Sequence, residues 1–141
     1  MISNSRFASA ALGAALMWVC PIWAHHSYSM FDFTKHLEIS GTVHRLEWAN
    51  PHVWLWIAVM DEQGAPTLFA FEGTSPGEMS RRNGWTKSTV SMGDKVTVKF
   101  MPFKDGTKTG GRLQAVTLPD GRTLKADNGY LETKPPTPPP Q

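Results

Sequence analysis

Polar and apolar residues alternate at a period of two through most of this chain, a pattern that predicts strands rather than helices. Over 37–48, LEISGTVHRLEW, Leu37, Ile39 and Val43 take one face, and Glu38, Ser40, Thr42 and His44 take the other. Gly41 interrupts, the usual mark of a bulge or bend in a long strand, and after it the phase slips so that Leu46 and Trp48 become the apolar set. Ala49-Asn50-Pro51 reads as a turn, because proline holds the residue before it extended. The segment 52–60, HVWLWIAVM, is the most apolar stretch beyond residue 24 and predicts a central strand. Val53, Leu55, Ile57 and Val59 form one of its faces; His52, Trp54, Trp56, Ala58 and Met60 form the other. A turn leads to a third strand at 67–73.

The period then changes. Ser75 stands as N-cap, Pro76 at the first helical position, Glu78 three residues after the cap and Gly84 as a stop, which predicts one short helix over 76–83. Strands resume at 94–103, with Val96, Val98 and Phe100 inward and Thr97, Lys99 and Met101 outward. A loop holding Gly110 and Gly111 precedes a fifth strand at 112–118, and the turn PDGR leads into a short edge strand at 123–126. KPPTPPPQ ends the sequence as an extended polyproline tail.

Three strands, a helix, then two strands and a hairpin return give an all-β fold with one short helix. A long bulged first strand and a helix between strands three and four are the layout of the OB-fold, a five-stranded barrel. A β-sandwich is the competing architecture, but it gives the helix no particular place.

The first residues follow a different rule. MISNSR carries Arg6 and is followed by FASAALGAALMWV, an uncharged run too short for a bilayer span of about 20 residues. It fits the apolar region of a secretory leader, with Ala24 as the small residue before the cut. The alternative is an uncleaved anchor. Cys20, the only cysteine, lies in the leader behind Met17, Trp18 and Val19, which does not suit lipid attachment. The expected product is cysteine-free and 117 residues long once 24 are removed from 141. It has no disulfide or thiolate chemistry and relies on its apolar core. Export predicts a periplasmic location and no stable membrane insertion after cleavage. The expected layout is a leader at 1–24, an N-terminal arm at 25–36, a barrel at 37–126 and a disordered tail at 127–141. The net charge of +2 is too weak to argue for a nucleic-acid partner.

AHHSYSMFD, GTVHRLEWANPHVWLWI, GDKVTVKFMPFKDG and LPDGRTL together resemble a family of small exported proteobacterial proteins known as a domain of unknown function. The resemblance spans roughly 25 to 126 and implies export and an OB-like fold. It implies no activity, substrate or catalytic residue.

The site has to come from chemistry. All five histidines, His25, His26, His36, His44 and His52, lie between residues 25 and 52. A cut after Ala24 makes His25 the first residue, whose α-amine and ring nitrogen can hold one metal together. Their pKa values, about 7.7–8.0 and about 6.5, mean that few protons need displacing near neutral pH. A third nitrogen from His52, His44 or His26 completes a planar set that suits Cu(II). The arrangement is similar to the histidine brace of periplasmic copper carriers and copper oxygenases. His52 is the best partner, at the start of strand two beside Trp54 and Trp56, and a hairpin brings His44 onto the neighbouring strand. A cut after Trp23 instead puts His26 third, the position of amino-terminal copper and nickel chelates. Zinc fits less well, with no cysteine and no HExxH pair. The plain alternative is a flexible arm and a His52 that bonds a loop carbonyl.

Trp48, Trp54 and Trp56 offer a stacking platform for a ligand ring, or alternatively core-filling area, the expected role of at least two of them. Asp32, Glu38, Glu47 and Glu72 read as isolated, solvated strand-edge charges. Lys104, Lys108 and Arg112 read as a mild basic rim. No catalytic set emerges, so the expectation is a binding module without enzymatic activity. Its cofactor is copper and its partner that metal ion. The rival is a protein-interaction or small-ligand barrel that uses the tryptophan face without metal.

Overall fold

β1 (Leu37–Glu47) is the longest strand and belongs to two pairings at once, meeting β4 (Lys95–Pro102) along its first half and β2 (Trp54–Met60) along its second. A strand that changes partners has to bend, and the irregularity lies between Val43 and Arg45, at His44. The phase slip read at Gly41 therefore occurs three residues later, because an extra residue in the ladder, and not a glycine, turns the pleat over. Gly41 has a different task. A Cβ on it would lie 2.7 Å from the Ala58 carbonyl oxygen and 2.9 Å from Ile57 Cδ1, so it permits close approach of the β1 and β2 backbones. Leu37, expected inside, is 45% exposed at the start of the strand.

The computed structural model describes residues 28–127. β2 pairs antiparallel with β3 (Pro66–Glu72), and β4 pairs antiparallel with β5 (Gly110–Thr117). The parallel pairing of β3 with β5 closes the ring, so five strands form a closed mixed barrel in the order β1-β2-β3-β5-β4. β6 (Thr123–Lys125) bonds to β5 outside that ring. This is the OB-like arrangement. Gly110 and Gly111 are not loop residues: they open β5 and make the closing contact opposite Ala70 and Phe71. Any Cβ on Gly110, at φ +108°, would overlap the backbone of Ala70, so glycine is what lets the seam form.

α1 (Pro76–Asn83) matches its sequence signature residue for residue. The Ser75 hydroxyl accepts from the Glu78 amide at 3.4 Å, and Gly84 caps the end in the left-handed region at φ 71°. The helix buries Met79. The next apolar residue is the fully buried Trp85, whose indole N–H donates to the Lys125 carbonyl at 2.7 Å and ties the helix exit to β6. Inside the ring, Leu55, Ile57, Phe71, Val98, Leu113 and Val116 are buried, with Phe71 edge-on to Phe100 at 5.0 Å.

A smaller apolar group lies outside that core. Met101 alternates away from the barrel interior and was expected outside, yet it is fully buried, as is Phe31. Phe31 stacks on Phe103 at 5.1 Å and bridges to it, the Asp32 amide donates to Pro102 O, and the Lys104 amide donates to Met30 O. Residues 30–32 of the arm are thus fastened to the end of β4. A short 3-10 turn, Tyr28–Met30, precedes them. Among the described residues no helix is long and apolar enough to cross a membrane.

Candidate functional site

The end of β3, the start of β5 and the approach to β2 meet at one place on the outer side of the barrel. Parallel register sets Glu72 beside Arg112, and antiparallel register sets Glu72 beside Trp54. Both charged residues are buried, Glu72 at 3% and Arg112 at 2% exposure. They are neither a solvated strand-edge charge nor part of a basic rim, because the closing seam lays one strand's charge against the other's. Arg112 donates to the Gly73 carbonyl at 2.7 Å and lies 3.7 Å from a Glu72 oxygen.

His52 completes the cluster. Backbone bonds from the Val53 amide to Thr74 O and from the Gly73 amide to Val53 O hold its loop against the end of β3. Its Nδ1 lies 3.0 Å from Glu72 Oε1 and 3.1 Å from the Gly73 carbonyl. A carbonyl oxygen and a carboxylate oxygen are both acceptors, so Nδ1 carries the proton they share. In the neutral ring the lone pair is therefore on Nε2, and the side chain keeps 29% of its surface exposed. A histidine anchored through one nitrogen by a carboxylate and a carbonyl is the outer-sphere arrangement that orients a ligating imidazole. The expected loop-carbonyl bond is present, joined by a buried carboxylate that the sequence reading treated as solvated.

The other histidines fall elsewhere. His44 is exposed at the β1 bulge, opposite Ile57 and Trp56, whereas His52 precedes Trp54. Four residues of strand, roughly 13 Å, separate the two levels, so one metal does not bridge both. His36 turns its Nδ1 to Gln114 Oε1 at 2.8 Å. His25 and His26 lie outside the described residues. Among the described residues no group of three or more His, Cys, Asp or Glu side chains is placed to hold a metal.

The tryptophans divide. Trp48 packs against the core, as a filler should. Trp54 and Trp56 are half-buried on the outer face of β2, their ring centroids 6.2 Å apart and planes tilted by 31°. The Arg45 guanidinium lies over Trp56 at 4.8 Å. The completely buried tryptophan is Trp85, which the sequence reading did not single out, although its position just beyond the helix stop is where a helix end docks. Glu72 and Arg112 were missed for a different reason. Their meeting depends on a parallel pairing across 40 residues of chain, for which no local pattern exists. Two surface grooves border Gly41 and Lys99, not His52 or the tryptophan pair.

Nothing among curated proteins or solved structures matches the chain. A family model described as a family of unknown function, DUF6152, matches residues 14–112, a range that takes in the His52–Glu72–Arg112 cluster, the tryptophan pair and the ring-closing glycines. The chain belongs to that family.

Proposed function

We propose that this barrel is an exported copper-binding module, cut after Ala24, that holds Cu(II) between the amino-terminal His25 and His52. The observation that carries the reading is the anchoring of His52 Nδ1 by Glu72 and Gly73, which leaves Nε2 as the metal-facing nitrogen of a ring held in place. The amine and ring of His25 supply two further nitrogens, and three nitrogens in a plane favour Cu(II) over the harder divalent ions.

Chain reach supports it. Phe31 sits beside the end of β4, three strands from the end of β3 at Gly73. At about 4.8 Å per strand and with a few residues of offset, the path is roughly 17 Å. Of the six residue steps from Phe31 back to His25, three lie in the 3-10 turn and rise about 2 Å each. The other three span up to about 10 Å, so the backbone covers about 16 Å and the two imidazole side chains close the remainder. The proposed location is the periplasm, and the proposed role is binding rather than catalysis.

Isothermal titration of Cu(II) tests this on three proteins: the chain beginning at His25, the same chain with its α-amine acetylated, and His52→Gln. The first should bind one equivalent. Acetylation and His52→Gln should each weaken binding at least about tenfold. Equal affinity in all three removes both the amine and His52 from the site and ends the reading.

A further inference from the structure

Two parts of the chain have no role in holding a metal at His52: the Trp54–Trp56 pair and the proline run at 135–140. We propose that they belong together, the Pro135–Pro140 segment lying across the two indole rings of its own chain.

The tryptophan pair is a surface without a partner among the described residues beyond the Arg45 guanidinium. Trp56 Nε1 is buried and meets no acceptor, so the indole turns its polar edge inward and offers carbon to the outside. The face continues through Leu68, 44% exposed, and Met60, 63% exposed. A polyproline helix suits such a surface. It repeats every three residues, so Pro135 and Pro138, and likewise Pro136 and Pro139, share a side. Its backbone is already rigid, and little entropy is lost when its rings settle on aromatic faces.

The occupant is this chain's tail because of where the described residues end. Ala126 and Asp127 are buried, the Ala126 amide donates to Gln114 O at 2.7 Å, and Asn83 Nδ2 donates to Asp127 O at 3.4 Å. Asn83 ends α1, and α1 begins four residues after Glu72, the register neighbour of Trp54. The tail therefore leaves the barrel at the end where the tryptophans lie. From Gln114, two residues beyond Arg112, to Trp54 is two strand spacings and two rungs, roughly 12 Å as a diagonal. The six residues 128–133 span up to about 20 Å. Lys134 then arrives near Glu47, the exposed register neighbour of Trp54, with opposite charge. A tether of this length holds the prolines at millimolar effective concentration.

The test compares the chain 25–141 with a variant of equal length in which Pro135, Pro136, Pro138, Pro139 and Pro140 are all serine, by acrylamide quenching of tryptophan fluorescence and by the indole N–H resonances of Trp54 and Trp56. Acrylamide quenching should rise about twofold in the serine variant, and both resonances should shift, independently of protein concentration. A chain ending at Asp127, with unchanged strand circular dichroism, should match the serine variant, and millimolar Lys134–Gln141 peptide should reverse the change. Identical quenching and identical resonances in the two full-length chains overturn the proposal. A difference that disappears on dilution assigns the face to a second copy's tail and overturns it equally.

Discussion

Glu72 and Arg112 stand side by side across the parallel β3–β5 seam, both almost fully removed from water, with Arg112 Nη1 3.7 Å from Glu72 Oε1. Neither is satisfied by the other alone. Arg112 makes its short bond to the Gly73 carbonyl, and Glu72 receives the His52 N–H. The seam that closes the barrel thus also builds the surroundings of His52, and stability and site share the same residues.

Arg112→Met should therefore be strongly destabilising, since it takes the neighbouring cation from a buried carboxylate. Removing one partner of such a pair typically costs about 3–5 kcal/mol. The double variant Glu72→Met/Arg112→Met should cost clearly less than the sum of the two single changes, because it leaves no uncompensated charge. Urea denaturation of the four proteins gives the comparison. Additive losses would show that the two side chains are energetically independent.

Gly110→Ala should prevent closure. At φ +108° an added Cβ collides with the backbone of Ala70, and backbone cannot swing aside as a flexible side chain can. Gly64 makes the control: it also has a positive φ, +81°, but a Cβ there meets nothing within 4 Å. Gly64→Ala should lower stability by only about 1 kcal/mol, whereas Gly110→Ala should give no cooperative thermal transition.

What was legible in the sequence was what local rules govern. The helix came out with its exact bounds because Ser75, Pro76 and Gly84 act on neighbours three or four residues away. The inward faces of β2 and β4 came out because Leu55, Ile57, Val96 and Val98 alternate with polar or surface residues. The reading failed where partners are distant. Two adjacent glycines before a strand look like a turn until β3 is laid against them. Met101 looks outward because alternation says nothing of a second apolar layer outside the ring. Of the candidate site, His52 was visible by its place after a proline turn. Glu72 and Arg112 were not, because only the closed seam makes neighbours of them.

Trp85 links the helix exit to β6 through one hydrogen bond and a large buried ring. Trp85→Phe keeps most of the apolar area but leaves the Lys125 carbonyl without its donor, and should cost about 1–3 kcal/mol. Trp85→Ala adds a cavity and should cost about 3–5 kcal/mol. Thermal denaturation separates the two, and equal losses would mean that the hydrogen bond contributes everything and the ring nothing.

Within the arm, the Asp32 carboxylate latches the turn at 32–35, next to the backbone bonds that join the arm to the end of β4. That carboxylate accepts from the Thr34 hydroxyl at 2.6 Å and the Thr34 amide at 3.1 Å, and meets the Lys35 ammonium at 3.0 Å. The Thr34 hydroxyl first, then the Lys35 ammonium and the Thr34 amide, hold its pKa down to about 2 from 3.8. A carboxyl group whose pKa is depressed in the folded state contributes stability above its unfolded value and loses it as pH falls through the folded one. The latch is therefore complete above pH about 4 and released between there and about 2. Hydrogen exchange at the Lys104 amide, which donates to Met30 O next to the latch, should lose protection in that window before the core amides of β2 do. Asp32→Asn should remove the pH dependence without unfolding the barrel, since Val43, Leu55 and their neighbours make no use of this carboxylate. Protection at Lys104 that falls together with the core amides, at one pH in both proteins, would show that the arm unfolds only with the barrel and that Asp32 does not control it.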